Sequence, residues 1–168
     1  VVLTVAACTK KESQTEYGLV KEETLRVALL TEPPSLDWSQ STDTTSAMIQ
    51  YNIMEGLATY DLQDPELGLK PGLAVSCESS ENATQWLLKL RKGVKWTDGK
   101  PFTAQHVVDG WERLLNPNTA SEYAYFLYSL RNARQYNEGE IEDFSKVGVK
   151  VTAEGHLQVD LEESKSYF

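Results

Sequence analysis

The sequence predicts an α+β fold, because strand patterns that suit antiparallel pairing are interleaved with amphipathic helices. Residues 86–90 place apolar side chains on one face while the other face becomes cationic, as in a half-buried strand. Residues 147–152 and 156–161 are two further strand patterns joined by a short turn, which predicts a hairpin. Residues 104–115 carry apolar side chains at helical spacing. With 168 residues, 40% of them hydrophobic, the chain can bury a core.

Three elements are predicted in the first third of the chain. The apolar run at 25–30 suits a central strand, and the pair of prolines that follows ends it. Residues 45–55 have the spacing of a helix, and Gly56 is placed to end that helix. Residues 57–61 are typical of a strand, and a connection rich in proline and glycine follows them.

The helix at 104–115 has clear start and stop signals. A hairpin-type turn at 97–100 precedes it, with Gly99 where a positive φ is favourable. Thr103 is expected to cap the helix, and Asn116 with the following proline ends it. His106 occupies the position where a capping box would have Glu or Gln, so only half of that motif is expected.

A second helix is predicted after Thr119, which would form a capping box with Glu122. Its apolar stripe would consist of Tyr123, Phe126, Leu127 and Leu130. The aromatic residues of 122–130 cannot all lie on one helix face. The tyrosines left outside the core would give a surface with apolar area and hydrogen-bonding tips, which suits a ligand.

Composition and motifs argue against catalysis, metal binding and nucleic-acid binding. The net charge of −9 is unlike the basic face of a nucleic-acid binder. The two histidines, His106 and His156, have no partners at the spacing of zinc ligands. The sequence has no glycine-rich phosphate loop, nucleophile elbow or paired-cysteine motif. No catalytic residue, metal or cofactor is therefore expected.

The N-terminal residues have the pattern of a lipoprotein signal. Small and apolar residues precede Cys8, and residues 5–8 resemble a bacterial lipobox. We predict that residues 1–7 are the tail of a signal peptide and that Cys8 is diacylated, which would anchor the chain without a membrane-spanning helix. Residues 8–23, counted from this lipidated cysteine, would form a flexible tether. The alternative is an apolar strand that contains a small buried cysteine.

The C-terminal residues stop just after a strand pattern and have neither a cap nor a solvated tail. The sequence is therefore interpreted as a fragment that is truncated on both sides. Cys77 is then left without a cysteine partner, and it is expected to be a small buried hydrophobic residue.

Four segments in order resemble the extracytoplasmic solute-binding proteins of family 5, the peptide- and nickel-binding components of ABC importers. These segments are residues 32–61, which contain SLD and EGL, residues 88–108 (LKLRKGVKWTDGKPFTAQHVV), residues 115–130 and residues 147–168. The resemblance covers residues 24–168. Cys77 departs from it, because the family commonly has an aromatic residue there, and we interpret this as a packing variant.

The resemblance implies a fragment of a two-lobed periplasmic-binding-protein type II fold. Residues 24–44 would begin lobe I with its first strand, and residues 45–168 would form the small α+β domain of the larger members, truncated at its end. The opposing lobe would be missing, and with it the carboxylate that is expected to bind the amino terminus of a peptide.

The resemblance also implies the binding residues. Tyr123 matches a tyrosine that contacts the peptide main chain in oligopeptide binders, and Thr42, Asp43 and Thr44 lie in the loop that reaches the cleft. The relatives have different residues in that loop, which leaves the chemistry of its contact open.

The implied function is capture of oligopeptides outside the cytoplasmic membrane and their delivery to the permease subunits of an ABC importer. Main-chain hydrogen bonds would bind the peptide like an added strand, and the two lobes would close on it. The protein is expected to be a monomer without a cofactor, held to the bacterial membrane through Cys8. Alternatives are a family member that binds dipeptides, nickel chelates or oligosaccharides, a secreted enzyme, and a surface adhesion or signalling protein.

Overall fold

The computed structural model describes residues 18, 20, 24–166 and 168. Two compact units divide the chain, Val1–Glu32 and Pro33–Phe168. The predicted signal-peptide tail, Cys8 and most of the tether lie outside the described residues. Residues 33–44 belong to the second unit, whereas the assignment of 24–44 to a first lobe stays a prediction.

The strand predicted at 25–30 is wrong for this chain. These residues have no strand hydrogen-bond pattern. Their large apolar side chains are exposed, and Leu30 is 101% exposed. A strand needs a neighbour for its backbone groups, and no segment of the described residues pairs with 25–30. The apolar pattern indicates a segment that is suited to burial, but it does not show whether another strand lies beside that segment.

The second unit contains three α-helices, six strands and three short 3₁₀ helices among the described residues. In chain order, the helices and strands are α1 (Thr44–Ile53), β1 (Ala58–Tyr60), β2 (Leu69–Pro71), β3 (Ala74–Ser79), β4 (Gln85–Leu90), α2 (Ala104–Leu115), α3 (Ala133–Asn137), β5 (Val149–Val151) and β6 (Leu157–Asp160). The 3₁₀ helices are Pro117–Thr119, Ala124–Leu127 and Phe144–Lys146. The α+β interleaving, the helix near 45–55 and the predicted strands from residue 57 onward are confirmed.

Antiparallel pairing organises both sheets. β1 and β2 form a two-stranded sheet, and the larger sheet has the order β3-β4-β6-β5. Leu88 of β4 lies opposite Cys77 of β3 and opposite Leu157 of β6, so these three residues share one face. The hairpin of β5 and β6 turns at Gly155, whose φ is +80°.

One hydrophobic core fills the second unit. α2 packs against β5, α3 and the 3₁₀ helix Ala124–Leu127, and these elements and the larger sheet contribute to a common cluster. The apolar residues with no exposed surface are Leu115, Leu130, Ala133, Leu157 and Val159. The predicted stripe of α2 faces this cluster, with Val107 and Trp111 at its partly buried margin. No helix in the described part of the chain is long and apolar enough to cross a membrane.

Cys77 is exposed, so its predicted burial is wrong. It points to the same face as the buried Leu88, but it lies on β3, the edge strand of the sheet. The helix α2 packs against β5 at the opposite edge of the sheet, which leaves β3 more open to solvent. The remaining partial burial raises the pKa of the thiol.

The second predicted helix, starting at Thr119, is also wrong. Ala120 has a left-handed conformation with a φ of 51°, and the chain continues as the 3₁₀ helix Ala124–Leu127. In a 3₁₀ helix, residues three apart lie on the same face. Ala124 and Leu127 are accordingly both buried, whereas Phe126 is 64% exposed. The short period places Phe126 on the face of Tyr123, away from the core.

His106 completes the cap of α2 that the sequence analysis left half-formed. Its Nδ1 accepts the backbone N–H of Thr103 at 3.1 Å, the role that Glu or Gln has in a capping box. The indole N–H of Trp96 is 3.3 Å from the same nitrogen, and the two rings are 5.6 Å apart in an edge-on arrangement. A neutral imidazole with an unprotonated Nδ1 fits both donors. The histidine therefore joins the start of α2 to the turn before it.

Replacing His106 by alanine is expected to lower the free energy of unfolding by about 1 kcal/mol, the usual contribution of a helix cap. His106→Gln restores an acceptor but not the aromatic contact with Trp96, so it should recover part of the loss. Urea unfolding followed by tryptophan fluorescence would measure both variants. Equal stability of the alanine variant and the unchanged protein would show that the cap contributes nothing.

Candidate ligand-binding groove

The loop at 41–44 is held by the start of α1. Asp43 is the N-cap, and its two carboxylate oxygens accept the backbone N–H and the hydroxyl of Ser46 at 2.9 and 2.6 Å. The hydroxyl bond and then the backbone bond lower the pKa of the Asp43 carboxyl. The stabilising effect of this cap is therefore present above the ordinary pKa of the group and is lost as the pH falls through the lowered value. Gln50 also binds the loop, since its Nε2 donates to Ser41 Oγ at 2.8 Å.

The turn before this loop is attached to α2. Asp37 forms an ion pair with Arg113 of α2, and it accepts the backbone N–H of Ser39 at 3.0 Å. The ring of Trp38 lies over Gly110, where a Cβ would be only 3.2 Å from a ring carbon. The absence of a side chain at Gly110 thus lets the turn lie close to the helix. These contacts fix the position from which the 41–44 loop extends.

Tyr123 connects the aromatic segment to the same loop. Its hydroxyl donates to the backbone carbonyl of Thr42 at 3.3 Å. Its ring centroid is 5.4 Å from that of Phe126, which in turn is 4.5 Å from that of Tyr125. The 3₁₀ period explains this arrangement, because Tyr123 and Phe126 are three residues apart.

A groove with a cavity volume of about 590 Å³ lies between these segments. It is lined by Trp38, residues 41–44, one face of α1 with Ala47, Gln50 and Tyr51, residues 54–56, Tyr123 and Phe126. All of these residues belong to the second compact unit. The groove combines aromatic rings, hydroxyl groups and backbone amides, which are the groups that a peptide or another amphipathic ligand requires.

The structure brings together every predicted peptide-binding residue. Tyr123, Thr42, Asp43 and Thr44 all line this groove, although Tyr123 follows the loop by some eighty positions in the sequence. Contact of these residues with a ligand stays a prediction. Among the described residues, no group of three or more His, Cys, Asp or Glu side chains could hold a metal ion.

The other half of the groove is not predicted by the sequence patterns. Ala47, Gln50, Tyr51 and Met54 recur at i, i+3, i+4 and i+7 and so form one face of the α1 region. That spacing was a usable signal, but the face mixes polar and apolar residues and does not resemble a core stripe. Phe126 was assigned to the core stripe of the second predicted helix, whereas the structure places it in the groove wall.

Comparison with known proteins identifies the family of this chain. The family model described as bacterial extracellular solute-binding proteins, family 5 Middle, matches residues 68–168. The chain belongs to this family. The predicted resemblance is therefore confirmed, and the family is one of solute-binding proteins rather than enzymes.

Individual relatives agree with this assignment. The oligopeptide-binding protein OppA of Bacillus subtilis is 34% identical over 146 residues, which are 86% of this chain and 26% of that protein. The probable deoxycholate-binding periplasmic protein YgiS of Escherichia coli is 32% identical over 152 residues, 89% of this chain and 28% of that protein.

A solved structure extends the agreement to the fold. The substrate-binding domain of an oligopeptide ABC transporter from Bacillus anthracis is 40% identical and has a TM-score of 0.75. The match covers 82% of this chain and 26% of that one. This family 5 chain therefore spans about a quarter of the length of the relatives that it matches. The predicted α+β class is confirmed as part of a larger solute-binding fold.

Proposed function

We propose that this protein captures oligopeptides outside the cytoplasmic membrane and delivers them to the permease subunits of an ABC importer. The observation that carries the proposal is the groove in which Tyr123 meets the 41–44 loop. The similarity of this chain to the oligopeptide-binding protein OppA of Bacillus subtilis, over 86% of its length, supports the same ligand class.

The contacts in the groove suggest a role for each residue. The Tyr123 O–H donates to the carbonyl of Thr42, and its oxygen keeps lone pairs that can accept a main-chain N–H of a peptide. Thr42 and Thr44 are exposed and can offer hydroxyl groups and backbone atoms. Both oxygens of Asp43 accept bonds from Ser46 and so cap α1, and we assign Asp43 the positioning of the loop rather than direct contact.

The proposal includes attachment to the bacterial membrane through a lipid on Cys8 and action as a monomer. The lipobox pattern at residues 5–8 supports the lipid, and the extracellular family supports a position outside the cytoplasm. A diacyl chain would contribute about 0.8 kcal/mol of membrane affinity for each buried methylene group. Release of a Cys8→Ser variant into the soluble fraction would agree with this attachment, whereas unchanged membrane retention would contradict it.

Native mass spectrometry of the complete, gently purified protein would test the ligand class. A ladder of masses that resolves into short peptides of mixed sequence is the expected result, because main-chain recognition depends little on side chains. A nickel chelate, an oligosaccharide or one sterol-sized mass would retain the family but overturn the peptide assignment.

Removal of the Tyr123 hydroxyl is expected to weaken peptide binding. Tyr123→Phe loses a hydrogen bond to the peptide and also the bond to Thr42, which should cost about 1 kcal/mol of binding free energy. Titration calorimetry of the complete protein with a co-purified peptide would measure the change. Tyr125→Phe is the matched control, because this neighbouring tyrosine does not line the groove. Equal dissociation constants for Tyr123→Phe and the unchanged protein would remove Tyr123 from the binding site.

A further inference from the structure

The charges that line the groove have one sign. Among the residues that the structure describes, its acidic lining residues are Asp43 at the start of α1 and Glu55 just beyond the end of that helix, and no lysine or arginine lines it. Because like charges repel in a partly desolvated groove, an anionic group on a ligand is disfavoured here. The lining therefore favours a cationic group over an anionic one.

The end of α1 adds to this negative potential. α1 ends at Ile53, and its last turn contains no basic residue. The free carbonyl groups at a helix C-terminus carry partial negative charge, which stabilises nearby cations. Met54, Glu55 and Gly56 line the groove immediately after this helix end. We call this region, residues 54–56 with Tyr51, the Glu55 end of the groove.

Glu55 is available to a ligand. Its Oε1 is 3.5 Å from Arg91 Nη1, and the two side chains are 53% and 46% exposed. Arg91 has a closer partner than Glu55, because its Nη2 donates to the carbonyl of Gly72 at 2.6 Å. A ligand could therefore replace the long contact with Glu55 while Arg91 keeps its bond to Gly72.

Two residues give the same end aromatic and apolar surface. Tyr51 is 86% exposed and Met54 is 47% exposed, and both line the groove. Aromatic ring faces attract guanidinium groups, and the aliphatic part of a long basic side chain can cover apolar surface. An arginine side chain matches this combination better than a short or acidic side chain.

We infer that the Glu55 end of the groove binds a basic side chain of the peptide, preferably arginine. This inference rests on the proposed function, since it concerns one side chain of a ligand whose main chain is held by Tyr123 and the 41–44 loop. Glu55 supplies the counter-charge, and Tyr51 supplies ring surface. The groove thus gives side-chain preference at one position of a ligand that is otherwise recognised through its main chain.

The test uses alanine pentapeptides that carry arginine or citrulline at each position in turn. Citrulline keeps the length and planarity of arginine but lacks its charge. Calorimetry with the complete protein should show, at one position, a roughly fivefold or greater preference for arginine. Glu55→Gln should reduce this ratio to nearly one while the citrulline peptide binds as before. Glu66→Gln, an exposed acid in the loop between β1 and β2, is the matched control and should leave the ratio unchanged.

The outcomes separate this inference from the proposed function. Tight binding of all peptides with equal affinity for arginine and citrulline would overturn the inference and leave the function intact. An arginine preference that survives Glu55→Gln would show that another residue recognises the arginine side chain, and this result would also overturn the inference. Failure of the complete protein to bind any of the peptides would overturn the proposed function and the inference together.

Discussion

Gly148→Ala is expected to lower the free energy of unfolding by about 3 kcal/mol, because the substitution overpacks a point where three backbone segments meet. A Cβ at this position would lie 2.1 Å from the carbonyl oxygen of Asp160 and 3.0 Å from the backbone nitrogen of Arg131. The segments cannot move apart easily. Gly148 donates to the Arg131 carbonyl at 2.8 Å, and its own carbonyl accepts the N–H of Asp160 at 2.8 Å. Relief of the clash would therefore break hydrogen bonds at the edge of the sheet.

Urea unfolding would measure this effect, with Gly93→Ala as the control. Gly93 has a φ of +76° but no atom within 4 Å of an added Cβ. Its substitution should cost about 1 kcal/mol through backbone strain alone. If Gly148→Ala were no more destabilising than Gly93→Ala, the result would contradict the claim that the three segments leave no room for a Cβ at Gly148.

Leu157→Ala is expected to destabilise the second unit by about 2–5 kcal/mol, the range for truncation of a buried leucine. Leu157 has no exposed surface, and it lies in β6 opposite Leu88 of β4 and Val151 of β5. The substitution leaves a cavity between the sheet and the elements that cover it, and the surrounding backbone is held by strand ladders on both sides. Partial collapse would reduce the loss toward the lower end of the range.

Guanidinium denaturation of Leu157→Ala and of a matched leucine variant at the surface would show whether the loss of stability depends on burial of the leucine. Leu62→Ala removes the same atoms from a side chain that is 84% exposed, so it should change stability by less than about 0.5 kcal/mol. A similar loss in both variants would contradict the assignment of Leu157 to the core.

Local signals predicted part of the regular structure, although β2, β3 and α3 were not predicted. Gly99 has the expected positive φ of 85° in the turn before α2, and Thr103 begins that helix as predicted. The alternating pattern of 86–90 and the turn at Gly155 produced the antiparallel strands that they indicated. The turns and the start of α2 depend on residues that are close in sequence, where sterics and hydrogen bonding decide the outcome. The pairing of β4 with β6 joins distant segments, and the pattern of 86–90 indicated only that this segment is a strand.

The wrong predictions concern contacts between distant segments. Residues 25–30 have the composition of a strand but no partner among the described residues, and Cys77 is exposed because β3 lies at a sheet edge. Phe126 was placed in a core stripe because a period of 3.6 residues was assumed, whereas the chain adopts a 3₁₀ helix with a period of three. Burial depends on which neighbour covers a residue, and periodicity alone does not contain that information.

The candidate site was predicted in part, through the resemblance and not through periodicity. Tyr123 and the 41–44 loop were identified as separate segments, and the structure places them in one groove. The contribution of Tyr51, Met54 and Glu55 was not anticipated, because their face of the α1 region is neither a core stripe nor a known motif.

The sequence by itself determined the α+β class, the family, the positions of β4, β5 and β6 in the larger sheet and the start of α2, whereas β3 was not predicted. These properties follow from local residue patterns and from several motifs in a fixed order. Only the tertiary structure decided that Tyr123 bonds to Thr42, that Phe126 faces the groove and that Glu55 lines the same groove. These are contacts between segments far apart in the chain, and their geometry is set by packing on the core rather than by sequence spacing.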